Sequence, residues 1–324
     1  LAVLFSSAGR RVELINCFRA DAARLGINLK TVAVDVDPAL SAACQAADVS
    51  RKVPRCDRPD FISKLLEICA AEGVKLIVPT IDTELEVLAE NRAAFAKIGV
   101  EVAVSSPEIV RMARNKRETS RFLAEAGIAT PRTESLRDFK AHLAEWAFPV
   151  ILKPSAGSSS IGIHILRDAA QLKSLELSSV DYVAQQLCEG KEFTVNMFFD
   201  AAGRLRSVVP HERLETRGGE VSKGVTRRVP ALDAAARKMA AKLRGARGAL
   251  CFQAIAAPDG STWVFEINAR FGGGFPLAHR AGACFSRWLL EEVVGLPSST
   301  SEDWKEGTLM LRYEAAVFPE AGAA

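Results

Sequence analysis

The chain has 324 residues, 48% of them hydrophobic and 25% charged, with a formal net charge of +3. That length suits two or three lobes with ample core, and the near-neutral balance, without any basic block interleaved with aromatics, argues against a nucleic-acid partner. No apolar run approaches the roughly 20 residues that span a bilayer, so a cytoplasmic protein without a membrane segment is expected, its seven scattered cysteines reduced and in the core.

From Leu1 to Ser106 short apolar segments alternate with amphipathic ones. LAVLFSS, LKTVAVDVD, VKLIVPT and VEVAVSS read as strands, and RRVELINCFRADAARLG, DFISKLLEICAAEG and ELEVLAENRAAFAKIG as helices. This alternation predicts an α/β lobe with a doubly wound parallel sheet, whose site lies at the carboxyl ends of the strands. Those ends carry Ser6 to Arg10, Asp35, Asp37, and Thr80 to Glu84. The opening LAVLFSSAGRRVELI puts its arginines after a short apolar run, the reverse of a secretory signal. With no initiating Met, the natural start is expected upstream.

PEIVRMARNKRETSRFLAEAG is predicted as one helix from Pro107, stopped at Gly127 and followed by Pro131. FPVILKP and IGIHILR are two strands joined by SAGSSS, and a helical stretch runs on to about Ser179. YVAQQL and EGKEFTVNMFF are further strands, and strands continue to about Ala257 around the helix DAAARKMAAKLRG. The expected division is 1–106, 107–187 and 188–324. Four isolated histidines offer no His-x-x-x-His pair, which argues against zinc.

The segment WVFEINARFGGG alternates in strand fashion. Phe265, Ile267, Ala269 and Phe271 fall on one face, and Glu266, Asn268 and Arg270 on the other. Upstream, Asp259-Gly260 predicts a two-residue hairpin loop with positive φ at both positions. That loop would set Gln253 directly opposite Glu266, with Cβ atoms about 5 Å apart. Gln253, Glu266 and Asn268 would then offer three oxygen ligands, a set that suits Mg²⁺ shared with substrate phosphates. A polar solvent-facing ladder is the competing reading of the Glu-x-Asn-x-Arg pattern, and the Gln253 pairing weighs against it.

KPSAGSSSIG, Lys153 to Gly162, places a lysine before a small-residue loop, the reverse of a Walker loop. With strands on both sides it is a hairpin tip, either a lid whose backbone N–H groups close over phosphates or a plain linker. By themselves, Lys116 reads as a solvated surface lysine and Glu192 as an exposed strand carboxylate.

Taken in order, these segments resemble an ATP-grasp enzyme. NKRETSRFLAEAGIATP is similar to the segment with the first nucleotide lysine, FPVILKPSAGSSSIGI to the second lysine and its glycine-rich lid, YVAQQLCEGKEFTV to the adenine hinge and ribose acid, and Gln253 with FEINARFGGG to the metal and phosphate face. The resemblance spans about residues 107 to 290, behind an N-terminal pre-ATP-grasp lobe. The fold it implies is that doubly wound lobe followed by a two-lobed α+β ATP-grasp domain. The look is nearest to one synthetase unit of the carbamoyl-phosphate synthase large subunit.

By resemblance, Lys116 and Lys153 contact the nucleotide's α- and β-phosphates, and the loop Ser158, Ser159, Ser160 to Gly162 covers them. Leu187 meets adenine through its backbone beside Gln185, and Glu192 binds the ribose. Gln253, Glu266 and Asn268 hold Mg²⁺, with Mn²⁺ as the alternative ion, and Arg270 stabilises the transferring phosphoryl group. The catalytic set implied is Arg270, Lys153 and Asn268. Gln185 departs from the family, which often has a carboxylate there.

The cofactors implied are ATP and the metal, and the implied activity is an ADP-forming ligase that converts a carboxylate, or a bicarbonate- or carbamate-like acid, to an acyl phosphate for an amine. A kinase, or a non-catalytic ATP-binding regulatory subunit, are the alternatives. A nicotinamide dehydrogenase is disfavoured because SSAGRRVE lacks Gly-x-Gly-x-x-Gly. The acceptor candidates are Arg10, Asp82, Glu84, Arg213, Lys223, Arg227 and Arg228, where converging arginines would suit an anionic substrate. The residues themselves fix no assembly; the resemblance allows a homodimer, since the family often forms dimers.

Overall fold

The computed structural model describes residues 1–157, 162–175 and 180–319. In the first lobe five strands, β1 (Ala2–Ser6), β2 (Lys30–Asp35), β3 (Val49–Lys52), β4 (Val74–Pro79) and β5 (Glu101–Val102), form a parallel sheet in the order β3-β2-β1-β4-β5. β1 is buried along its whole length, as expected of a central strand covered on both faces. β3 escapes the sequence reading because VSRK is short, polar and partly exposed. The strand order reverses between β1 and β4, which opens a crevice at their carboxyl ends. There Thr80 Oγ1 donates to the Ser7 carbonyl at 2.7 Å, and Ser7 Oγ donates to Glu84 at 2.7 Å.

The second lobe is a four-stranded sheet of β6 (Thr133–Ser135), β7 (Val150–Pro154), β8 (His164–Leu166) and β9 (Tyr182–Gln186), ordered β6-β9-β7-β8. The third lobe is an antiparallel sheet of β10 (Lys191–Phe199), β11 (Leu205–Arg217), β12 (Glu220–Thr226), β13 (Gly248–Ala256), β14 (Thr262–Asn268) and β15 (Leu309–Leu311), ordered β14-β13-β10-β11-β12-β15. The architecture is therefore a parallel α/β lobe followed by two antiparallel α+β lobes, as the sequence predicts.

Packing divides the molecule differently. One apolar cluster joins Leu4 and Ile77 of the first sheet to Val195, Phe252 and Ile267 of the third. Another joins Phe5 and Phe18 to Phe198, Phe271 and Phe285. The first and third lobes thus share cores, whereas the second packs around its own Phe139, Trp146, Leu152 and Tyr182. No helix among the described residues is long and apolar enough to cross a membrane.

Two local expectations are corrected. The predicted helix 107–127 breaks into Pro107–Arg114 and Lys116–Glu125. Asn115 is extended, and its Oδ1 accepts from the backbone of Arg117 and Glu118, an N-cap that restarts the helix. The hairpin after β13 also differs: Ala257 N donates to Ser261 O, and Gly260 N donates to Ala257 O. The loop therefore has three residues, Pro258 to Gly260, with positive φ at Gly260 (87°) and not at Asp259. A bulge opposite Gln253 and Ala254 then shifts the register back by one. Gln253 faces Glu266 as predicted, through two offsets that cancel.

Candidate functional site

The face of the third sheet is built in cross-strand rows. Thr194, Gln253 and Glu266 form one row, and Asn196, Cys251 and Asn268 the next. The intervening residues Phe193, Val195, Phe252 and Ile267 point into the core, so strand alternation leaves the polar rows on the opposite face. The bulge adds Phe265 to this polar side. It was expected beside Ile267, but it lines the cleft with Glu266 and lies under Lys153, whose Nζ is 5.2 Å from the ring centroid.

Above these rows is a cleft of about 590 Å³, walled by the second lobe. β7 delivers Lys153, and the Asn115 break delivers Lys116. Lys116 N donates to Ser155 O at 3.0 Å and its Nζ to Gly157 O at 3.0 Å, so the residue is buried rather than solvated. Gln185, Leu187 and Glu192 also line the cleft. Gln185 Nε2 donates to Thr133 Oγ1 at 2.8 Å, which fixes its amide against β6. Glu192 pairs with Arg213 at 3.3 Å.

The electrostatics favour an anion. Burial lowers the pKa of Lys153 to about 8; Glu266 opposes the shift and Lys116 adds to it. Burial also lowers Lys116, again against Glu266 and Asp82. Burial raises the Glu192 carboxyl even though Arg213 pulls it down. Two desolvated ammonium groups beside one glutamate leave an excess of positive charge that a polyphosphate would neutralise. A smaller recess of about 60 Å³ adjoins, sharing Lys116, Gly157 and Glu266, and is closed by Asp82 and Asn268.

Arg270 follows β14. Its Nη2 donates to Asp82 at 2.6 Å and to Asn268 Oδ1 at 3.3 Å, and its Nη1 to Phe271 O at 3.1 Å. Burial works against its charge, but Asp82 more than offsets that and raises the pKa. Its Nε is buried with no partner among the described residues. Asn268 Nδ2 donates to Glu266 at 3.2 Å.

Of the other candidates, Gly162 lies in the described part of the lid at φ 73°, where a Cβ would sit 3.2 Å from Pro154 and 3.3 Å from the Tyr182 hydroxyl. Ser158, Ser159 and Ser160 lie outside the described residues. Arg213 lines the cleft and Arg10 reaches Glu220. Glu84 does not face the cleft: it is fully buried and accepts from Ser7 and the Thr80 backbone, tying the first lobe's crevice together. Lys223 pairs with Glu215 at 2.6 Å and Arg227 approaches Glu212 at 3.7 Å, while Arg228 stacks on Trp304; none of these three lines either cavity.

Arg11, Glu220 and Arg312, which the sequence reading passed over, gather beside Arg270. Nothing in their spacing could have found them, since they come from three distant segments. Elsewhere Asp21, His279 and Cys284 bring ligand atoms within 4.8 Å of one another. Although burial opposes it, the hydrogen bond to Asp21 pushes His279 up to about 12.

Residues 3–103 match the family described as PylC-like, N-terminal domain, and residues 113–274 match the ATP-grasp domain. A D-alanine–D-alanine ligase of Marinomonas sp. (strain MWYL1) is 36% identical over 119 residues, 34% of this chain and 37% of that one. The carbamoyl phosphate synthase large chain of Kocuria rhizophila is 34% identical over 97 residues, 28% of this chain and 8% of that one. Both matches span well under two thirds of the relative's length. The biotin carboxylase domain of Hydrogenobacter thermophilus 2-oxoglutarate carboxylase, solved as a dimer with MgADP, ADP and bicarbonate, superposes with a TM-score of 0.73 over 94% of this chain and 72% of that one. At 18% identity this likeness speaks to fold alone.

Proposed function

The chain belongs to the ATP-grasp family, a family of ATP-dependent, ADP-forming ligases that use Mg²⁺, and on that premise we propose that it activates a carboxylate, or a carbamate-like acid, as an acyl phosphate for attack by an amine. The observation that carries this reading is the pair of buried lysines, Lys116 and Lys153, sharing Glu266 across the cleft, with Arg270 bonded to Asp82 and Asn268 of the adjoining recess.

The nucleotide lies in the cleft with its base at the Gln185–Leu187 hinge and its ribose at Glu192. Lys116 and Lys153 bind the phosphates through their ammonium groups; burial lowers both pKa values, and a bound phosphate would offset that cost. Arg270, with its buried Nε unengaged, stabilises charge on the transferring group, since phosphoryl transfer depends mostly on positioning and neutralisation. The donor set Gln253, Glu266 and Asn268, all hard oxygens on neighbouring rows of one sheet face, fits Mg²⁺, which when bound supplies charge neutralisation at the phosphates.

The acid's oxygen attacks the γ-phosphorus and ADP departs; the amine then attacks the acyl carbon and phosphate leaves. The second lobe, with its own core, is suited to close over the cleft and exclude the water that would hydrolyse the intermediate. The likeness to a carbamoyl phosphate synthase chain supports a carbamate-like acid as one substrate option.

The test is ATP turnover with Mg²⁺ across a panel of acids, each with and without amines, identifying the nucleotide product. ADP formation that requires both acid and amine is expected. ADP formation with an alcohol alone would transfer the reading to a kinase, and AMP as product would overturn it.

A further inference from the structure

The loop after Arg270 connects it to a second charged cluster. Arg270 Nη1 holds Phe271 O, and Arg312 Nη2 holds Gly273 O. Arg312 Nη1 also bonds Glu220 at 2.9 Å, and Arg11 and Arg10, from the first strand–helix turn, reach the same carboxylate at 3.3 and 3.9 Å. Three guanidinium groups thus converge on one carboxylate, while Arg270 pairs with Asp82.

This cluster carries excess positive charge. Burial lowers the pKa of Arg11, and although Glu220 works the other way, Arg270, Arg312 and Arg10 all press it down further. Arg11 is also the cap residue of the helix Val12–Arg24, which has no side-chain cap, so the positive end of a 13-residue helix dipole adds to the same place. Gly273 makes the packing feasible: a Cβ there would fall 2.7 Å from the Glu220 carboxyl carbon. Arg10, with 76% of its side chain exposed, is free to swing onto a ligand. The cluster stands at the carboxyl edge of β1, where a parallel sheet presents its site.

We propose that Arg10, Arg11 and Arg312 bind a second anionic group, a carboxylate or a phosphate, on the acid that is activated beside Arg270. The acceptor is then a dicarboxylate or a phosphorylated carboxylic acid, held through guanidinium forks at the end away from the reacting oxygen. Glu220 spaces the arginines and seats the glycine loop, and the ligand supplies the negative charge the cluster lacks. This rests on the ligase reading for the identity of the reacting end, but the anion preference is measurable without turnover.

The experiment is calorimetric titration of the full chain with succinate, 3-phosphoglycerate and butyrate, with and without MgADP. Succinate, 3-phosphoglycerate or both are expected to bind at least 10-fold more tightly than butyrate, and which of them does so separates a carboxylate from a phosphate subsite. Arg312→Ala and, independently, the exposed Arg10→Ala are expected to reduce that preference to less than 3-fold, with MgADP affinity as the control for folding. Equal binding of all three acids, no binding of any, or a preference that survives both substitutions overturns the proposal. If the unmutated chain shows the anion preference but does not bind MgADP, the ligase reading fails and the anion subsite stands, with the melting temperature then serving as the folding control for the variants.

Discussion

Arg270 and Asp82 stand 188 positions apart in the chain, and the guanidinium of one donates to the carboxylate of the other at 2.6 Å. The arginine closes the polar face of the third lobe, and the aspartate comes from the first lobe just beyond β4. Both are largely buried, so the pair fixes the arginine's orientation across the junction between lobes.

Removing one partner of such a pair leaves a desolvated charge. Asp82→Ala is expected to lower stability by about 3 kcal/mol, read as the shift of the urea midpoint. A double-mutant cycle with Arg270→Met should give a coupling of about 1–3 kcal/mol. Additive effects would mean that the contact does not hold the arginine.

Glu266 is the carboxylate that both buried lysines share. Glu266→Gln keeps the shape and removes the charge, so Mg²⁺-dependent ATP turnover should fall on the order of 100-fold or more. Its melting temperature should also drop, because Lys116 and Lys153 lose their nearest compensation. Unchanged turnover at saturating Mg²⁺ would remove Glu266 from the metal set.

Lys153 makes the pH dependence specific. Folded, it titrates near 8 rather than at the ordinary 10.5, so between those values the unfolded chain holds the extra proton. In that window this group makes the fold more stable as pH rises. A bound polyphosphate acts in the other direction: it raises the lysine pKa, binding takes up a proton, and affinity falls as pH climbs past 8. Calorimetry at pH 8.5 in two buffers of different ionisation enthalpy should show net proton uptake on nucleotide binding. No buffer dependence would place Lys153 away from the phosphates.

Gly274 has a steric requirement of its own. A Cβ there would lie 2.6 Å from His211 Nε2 and 2.8 Å from Val221. His211 is fully buried, and burial together with Arg213 and Arg312 drives its pKa down to about 3, so the neutral ring has no solvent to move into. Gly274→Ala should cost about 1–3 kcal/mol in equilibrium denaturation. A wild-type midpoint would show that the ring can yield.

The glycine-rich segment shows how far the sequence could be read. Local patterning was enough for the parallel lobe, because β1, β2 and β4 are short apolar runs and the intervening helices repeat at helical spacing. It was also enough for the Gln253–Glu266 pairing, since strand alternation and a nearby turn confine two strands to few registers. Even there the answer came through two errors: the loop is one residue longer than predicted, and a bulge restores the register while turning Phe265 into the cleft. The break at Asn115 had a readable signal, an Asn followed three residues on by Glu118, but it was overridden by the continuous helical periodicity around it.

What the sequence determined by itself is the order of motifs and the faces of individual strands, because those depend on φ, ψ and side-chain spacing within a few residues. What only the tertiary structure decided is which distant charges meet. Glu84 was expected at the cleft and instead ties β1 to β4. Lys223, Arg227 and Arg228 were expected to face substrate and are spent on Glu215, Glu212 and Trp304. Arg11, Glu220 and Arg312 carry no local pattern, and they come together only because the first and third lobes share their cores. Charge pairing acts through space over a few ångströms, so its partners are set by how the lobes pack and not by their separation along the chain.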